Sequence, residues 1–225
     1  MAEVTKFAKS INLDTEKLLG DWIVCIPGFT LQKYRQLQHS KLSILSKDCL
    51  GGLFSHLLGL KILSPFFNLT TAKEEDFLRF LKHPRLYVED ELEFKESRIS
   101  GAESYPYPVY TIGNVTLNMI HYKNFDEAVA KWHERKRRIN WYNILVLMDT
   151  NRQEMMEQFD ELPYGKKACF VPFKSNLYSA FYIDSKFTKD GTFGGVIAQL
   201  SNVIPYYYDL FDILLYGKKT PLVSM

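Results

Sequence analysis

Three side chains in this sequence have the chemistry of a nucleophile, a base and an orienting group, and each stands at the end of an apolar run. Cys49 lies in Ser46-Lys47-Asp48-Cys49-Leu50-Gly51-Gly52, between a short β-like run and an apolar helical one. At a helix N-terminus the backbone N–H groups and the helix dipole favour a thiolate. Gly51 and Gly52 have no side chain to keep a substrate off the backbone. A buried cysteine in a tight turn, with Asp48 as helix cap, has the same pattern. Cysteine chemistry needs a base, and His121 alone of the five histidines directly follows an apolar strand-like run, VTLNMI. A half-buried strand-end histidine bonded to backbone fits that position as well. Asp149 closes the run NILVLM, where a carboxylate can orient a histidine or bind a hydroxyl. It can equally cap the helix expected over 151–160, as can Thr150.

A second group is basic. In Trp132-His133-Glu134-Arg135-Lys136-Arg137-Arg138-Ile139-Asn140, a helix continued to the end would place Lys131, Arg135 and Arg138 on one face. Such a face can grip a phosphate or carboxylate, and it can also be an ordinary solvated helix end. Gly191-Thr192-Phe193-Gly194-Gly195 has the composition of an anion nest or of a plain loop. Other chemistries have no motif here. The sequence lacks a phosphate-binding Gly-Lys-Ser/Thr loop, a dinucleotide-binding glycine fingerprint, a His-Glu-x-x-His pair, a Cys-x-x-Cys pair and a Gly-x-Ser-x-Gly elbow. No metal site and no cofactor is therefore expected.

These residues need elements to position them. Strand-like runs fall at 41–46, 143–148, 166–172 and 181–184. Helical periodicity covers 14–40 with a break near Pro27-Gly28, then the run after Gly51, 73–82, the segment capped by Asn124, 151–160, and 194–216 with a break at Pro205. Gly113-Asn114 between VYTI and VTLNMI signals a two-residue hairpin of the Gly-first type. Strands alternating with helices predict a single α/β domain over 1–225. The expected form is a layered, mostly parallel central sheet with helices on both faces, plus the β-hairpin.

Composition narrows the setting. The 225 residues are 46% hydrophobic and carry a net charge of only +2, which suits a folded domain and gives no global reason to expect nucleic acid. Three widely spaced cysteines do not make a disulfide framework. The charged N-terminal stretch lacks the apolar core of a secretory signal, and no apolar stretch reaches transmembrane length. A cytoplasmic protein is expected.

The ordered set Leu42-Ser43-Ile44-Leu45-Ser46-Lys47-Asp48-Cys49-Leu50-Gly51-Gly52, Ser64-Pro65-Phe66, His121-Tyr122, Trp132 with Arg135, Arg138-Ile139-Asn140 and Asn143, Phe159 with Leu162-Pro163-Tyr164, and Lys167 resembles domain of unknown function 1919 over about 40–190. Members of that family are often described as exopolysaccharide biosynthesis proteins. Leu50 departs from it where an aromatic is common. A fainter similarity, through Cys49, Pro65-Phe66, His121, Arg135 and Arg138, is to papain-like cysteine enzymes, without their Gly-Ser-Cys-Trp signature.

The resemblance implies a bacterial exopolysaccharide or capsule transferase acting on a sugar or nucleotide-sugar, in association with membrane biosynthetic machinery. The residues themselves then suggest Cys49 as the nucleophile of an acyl-transfer or hydrolysis step, His121 as the base and Asp149 or an asparagine as the orienting group. Arg135, Arg138, Asn140, Asn143, Gly51 and Gly52 hold substrate. Two alternatives stay open. One is a glycosyl- or phosphotransferase that uses the arginine face and strand-end carboxylates on a nucleotide-sugar, with only a structural Cys49. The other is a carbohydrate- or partner-binding module built on Tyr105, Tyr107, Tyr110 and Tyr206-Tyr207-Tyr208.

Overall fold

The architecture is that of a computed structural model, which describes residues 23–67, 69–99, 105–184 and 204–222. A 3-10 turn at Ile23–Cys25 precedes α1 (Leu31–His39), β1 (Ser43–Ser46), α2 (Leu50–Leu57), β2 (Thr70–Thr71), α3 (Glu74–Lys82), α4 (Pro84–Glu89), β3 (Glu93–Ile99), β4 (Pro106–Ile112) and β5 (Val115–Asn118). Then come α5 (Phe125–Lys136), β6 (Ile144–Asp149), α6 (Gln153–Asp160), β7 (Lys167–Val171), β8 (Ala180–Tyr182) and α7 (Leu210–Tyr216). The expected helix over 14–22, the Gly191–Gly195 loop and the helix expected over 194–203 lie outside the described residues.

The protein is mixed α/β, as the alternation of patterns predicts. β1, β6, β7 and β8 form a parallel sheet in that order. β6 is apolar up to its terminal Asp149 because both of its faces are covered, the usual condition of a parallel strand. Its alternate residues enter two separate apolar clusters. Leu145 and Leu147 pack with Leu37 of α1, Phe54 of α2 and Phe211 of α7. Val146 and Met148 pack with Phe77 of α3, Trp132 of α5, Met156 of α6 and Leu117 of β5.

Half of the described strands are not parallel. A second, antiparallel sheet runs β2-β5-β4-β3 where the sequence pattern led us to expect a hairpin alone. The hairpin is there: Ile112 pairs with Val115 across Gly113-Asn114, and Gly113 takes φ 53°, as a Gly-first turn requires. β3 escaped notice because its side chains are mostly exposed and charged, so it has no apolar alternation to read.

Candidate functional site

β1 and β6 are parallel and in register, Ser46 opposite Leu147, so the residues leaving their carboxyl ends emerge side by side. Those residues are Lys47 and Asp48 on one chain segment and Asp149 and Thr150 on the other. Asp48 is 3% exposed and Asp149 1%. Lys47 Nζ lies 3.0 Å from Asp149 Oδ1 and donates to the Asp149 carbonyl oxygen at 2.6 Å. Glu74, at the start of α3, stands 3.7 Å from the same ammonium and accepts from Thr150 Oγ1 at 3.1 Å. Asp48 Oδ1 accepts from the Leu50 N–H at 2.9 Å, which fastens the first turn of α2.

The two buried carboxyls divide one charge between them. Burial pushes Asp48 well above the usual carboxylate range, and the neighbouring charge of Asp149 adds to it. Burial opposes ionisation of Asp149 too, but the Lys47 ammonium and the Asp48 hydroxyl outweigh it and hold Asp149 below its ordinary value. Neither carboxyl oxygen of Asp149 accepts a well-formed bond from an N–H, because Lys47 directs its hydrogen at the carbonyl; the neighbouring Asp48 carboxyl is the other group that lowers its proton affinity. The site is thus a carboxylic acid beside a carboxylate, with a lysine holding the pair.

Cys49 occupies the N-cap position of α2 and is partly covered. Burial, reinforced by Asp48, pushes its thiol up to about 12, so at neutral pH it is protonated. The favourable end of a short helix does not offset a desolvated sulfur beside an acidic group. Its Sγ sits 3.9 Å from the Leu69 carbonyl oxygen, and the phenol of Tyr122 lies nearby. Cys25, although flanked by apolar residues, is the exposed cysteine, and Cys169 is buried in β7.

The residue that turns inward after β5 is Tyr122. Val115, Leu117 and Met119 are buried in alternation, and strict alternation would bring His121 in next. A turn at 120–121 breaks the period, which leaves His121 exposed and Tyr122 covered. Tyr122 accepts from Arg135 Nη1 at 2.6 Å, and the Arg135 guanidinium stacks 4.6 Å from the Phe67 ring centroid.

The other sequence-derived site residues scatter. α5 ends at Lys136, so Arg138 leaves the face that Arg135 shares with Lys131 and pairs with Glu134 in the open. Asn140 and Asn143 stand at the amino end of the parallel sheet. There Asn140 Nδ2 donates to the Lys41 carbonyl at 2.9 Å and Asn143 Nδ2 to that of Ser40 at 2.7 Å. Six residue steps along β6, at roughly 3.3 Å each, put about 20 Å between Asn143 and Asp149, too far for one small substrate. Gly51 and Gly52 are buried in α2, where an added Cβ would meet Ile44 Cγ2 at 2.6 Å and the Phe67 ring at 2.7 Å. Their bareness admits strand and ring, so they serve packing in place of substrate approach. Tyr107, Tyr110 and Tyr208 are core residues and offer no aromatic platform.

Sequence reading missed Lys47 and paired Asp48 with nothing beyond a cap. The available signal was that two apolar runs, KLSILS and NILVLM, are each followed at once by charged residues. An open parallel sheet of this kind gathers its ligand-binding groups beyond the carboxyl ends of its strands. Among the described residues no helix is long and apolar enough to cross a membrane, and no group of three acidic, histidine or cysteine side chains gathers to hold a metal ion.

The chain belongs to the family described as Domain of unknown function (DUF1919), whose model matches residues 24–216. It is 31% identical over 189 residues to a Haemophilus influenzae protein described as an uncharacterized protein, covering 81% of this chain and 86% of that one.

Proposed function

We propose that this protein is a transferase of bacterial exopolysaccharide or capsule assembly, working in the cytoplasm on an activated sugar, with Asp48 and Asp149 as its acid–base pair. The observation that carries the chemistry is the buried pair itself, one carboxyl protonated and its neighbour ionised against Lys47. Perturbed titratable pairs at the carboxyl edge of an α/β sheet are a recurring form of active site. The pathway is supported by the resemblance of the ordered motifs to exopolysaccharide biosynthesis proteins, which also supports work alongside membrane-bound machinery. In the reaction Asp149 takes the proton of an acceptor hydroxyl as its oxygen bonds to the anomeric carbon. The bond to the leaving group breaks, and its electron pair departs with that group. Lys47 offsets the charge that moves through the site. Cys49 packs against the pair and keeps its proton throughout.

The test is turnover of a panel of nucleotide-sugars, read as release of nucleoside diphosphate. Asp149→Asn should lower the rate about 10²–10⁴-fold with the circular dichroism spectrum unchanged, the usual loss for a general base. Cys49→Ser should keep most of it. A Cys49→Ser variant that is dead beside an active Asp149→Asn variant defeats this reading in favour of cysteine chemistry.

A further inference from the structure

A cavity of about 510 Å³ opens between the start of α3, the β4–β5 turn and β3, and its wall is strongly basic. Lys73, Arg79, Lys95 and Arg98 line it, opposed by the single carboxylate of Asp76, with Asn114 beside them. The volume falls within the range of about 300–1,000 Å³ typical of small-ligand sites.

The way these cations come together is particular. Lys95 and Arg98 are three residues apart on one strand, and regular alternation would send them to opposite faces. The β3–β4 register shifts between Phe94 and Glu96, leaving Lys95 without a partner residue on β4. That bulge takes up one residue and brings Lys95 and Arg98 to the same cavity; bulges commonly re-aim side chains in this way. From the other wall, Arg79 is held by Asp76 Oδ1 at 2.8 Å and by the Asn114 carbonyl at 2.9 Å, which fixes its guanidinium and leaves further N–H donors for a ligand. Asp76 also accepts from the Thr116 N–H at 3.3 Å, so its charge is already engaged by the frame. Ion pairs among the described residues tie Arg79 to Asp76 and Arg98 to Glu96 and include neither lysine.

The cavity is tied through the chain to Lys47, the lysine of the acid pair. Ala72 and Lys73 line it, while the residues on either side of them reach Lys47: the Thr71 N–H donates to the Lys47 carbonyl at 3.0 Å, and Glu74 stands 3.7 Å from its ammonium.

We propose that this basic cavity binds a diphosphate group, and that it seats the diphosphate of the activated sugar whose transfer Asp48 and Asp149 catalyse. The second half rests on the function proposed above; binding of the diphosphate does not. Two arginines offer planar donors to phosphate oxygens and two lysines offer point charges, the mixture that a compact, multiply charged oxyanion requires.

Inorganic pyrophosphate is the probe, titrated calorimetrically into the full chain. One equivalent should bind saturably. A Lys73→Gln/Lys95→Gln variant, changed at surface side chains and checked for folding by circular dichroism, should bind at least about tenfold more weakly and with a shallower salt dependence. Asp149→Asn should bind as the wild type does, so loss of sugar transfer and loss of diphosphate binding are read separately. Failure of pyrophosphate to bind, or binding unmoved by the lysine substitutions, overturns the proposal. So does preferential binding of an oligogalacturonate, an acidic glycan without phosphate, because it would make the cavity a site for polymer carboxylates.

Discussion

At the scale of single residues, the informative group is Asp48, whose carboxyl keeps its proton because burial and the charge on Asp149 both oppose its loss. In the unfolded chain it ionises near pH 4, whereas in the folded protein it ionises well above that. Its contribution to stability is therefore complete below about pH 4 and drains away as pH rises through the folded value. Asp149 runs the other way: its depressed folded value gives stability that is present above about pH 4 and lost on acidification through that value. Asn at position 48 keeps an oxygen for the Leu50 N–H and offers an N–H to Asp149 at every pH. Asp48→Asn should thus match the wild type at pH 4 and exceed it by about 1–3 kcal/mol at pH 8, measured by urea unfolding at both values. An offset equal at the two pH values would show that Asp48 holds no proton. Cys49 carries a second expectation. With its thiol pushed up to about 12, it should label with iodoacetamide at pH 7.5 far more slowly than exposed Cys25, and mass-spectrometric mapping reads the order directly. Fast, preferential labelling of Cys49 would restore it as a nucleophile.

At the scale of elements, small departures from regularity decide what each residue faces. α5 stops two residues earlier than the basic run suggests, and that parts Arg135 from Arg138. The turn after β5 exchanges His121 for Tyr122. The bulge in β3 gathers Lys95 with Arg98. α2 lies so close to β1 that Gly51 has no room for a methyl group: its Cβ would stand 2.6 Å from Ile44 Cγ2, on a strand that cannot retreat. Gly51→Ala should lower stability by about 1–3 kcal/mol even though alanine favours the helix. Gly165→Ala, where an added Cβ meets nothing within 4 Å, should change it by less than about 0.5 kcal/mol. Equal effects in chemical denaturation would mean that α2 shifts freely on the sheet.

At the scale of the whole molecule, the two sheets share an apolar cluster. Leu45, Val146 and Met148 from the parallel sheet meet Tyr110, Ile112 and Leu117 from the antiparallel one. The parallel sheet has two different ends. Its amino end is tied by Asn140, Asn143 and Lys167, whose ammonium donates to the carbonyls of Asp160 and Leu162, so this part of the family-like pattern maintains the fold. Its carboxyl end holds the acid pair. Much of this was legible in the residues alone. The runs at 41–46, 143–148 and 166–172 declared their strands because both faces of each are buried. Asn124 declared its helix by capping the Glu127 N–H, and Gly113-Asn114 declared the hairpin. Such features depend on neighbours a few positions away, where spacing in sequence is spacing in space. The site was legible only as fragments. Asp48 and Asp149 are about a hundred positions apart, and each alone reads as a helix cap. Only the parallel register of β1 with β6 sets them side by side, and only shared burial makes one of them surrender its charge. Proton affinity depends on desolvation and on charges brought close by folding, and neither is written in the local order of residues.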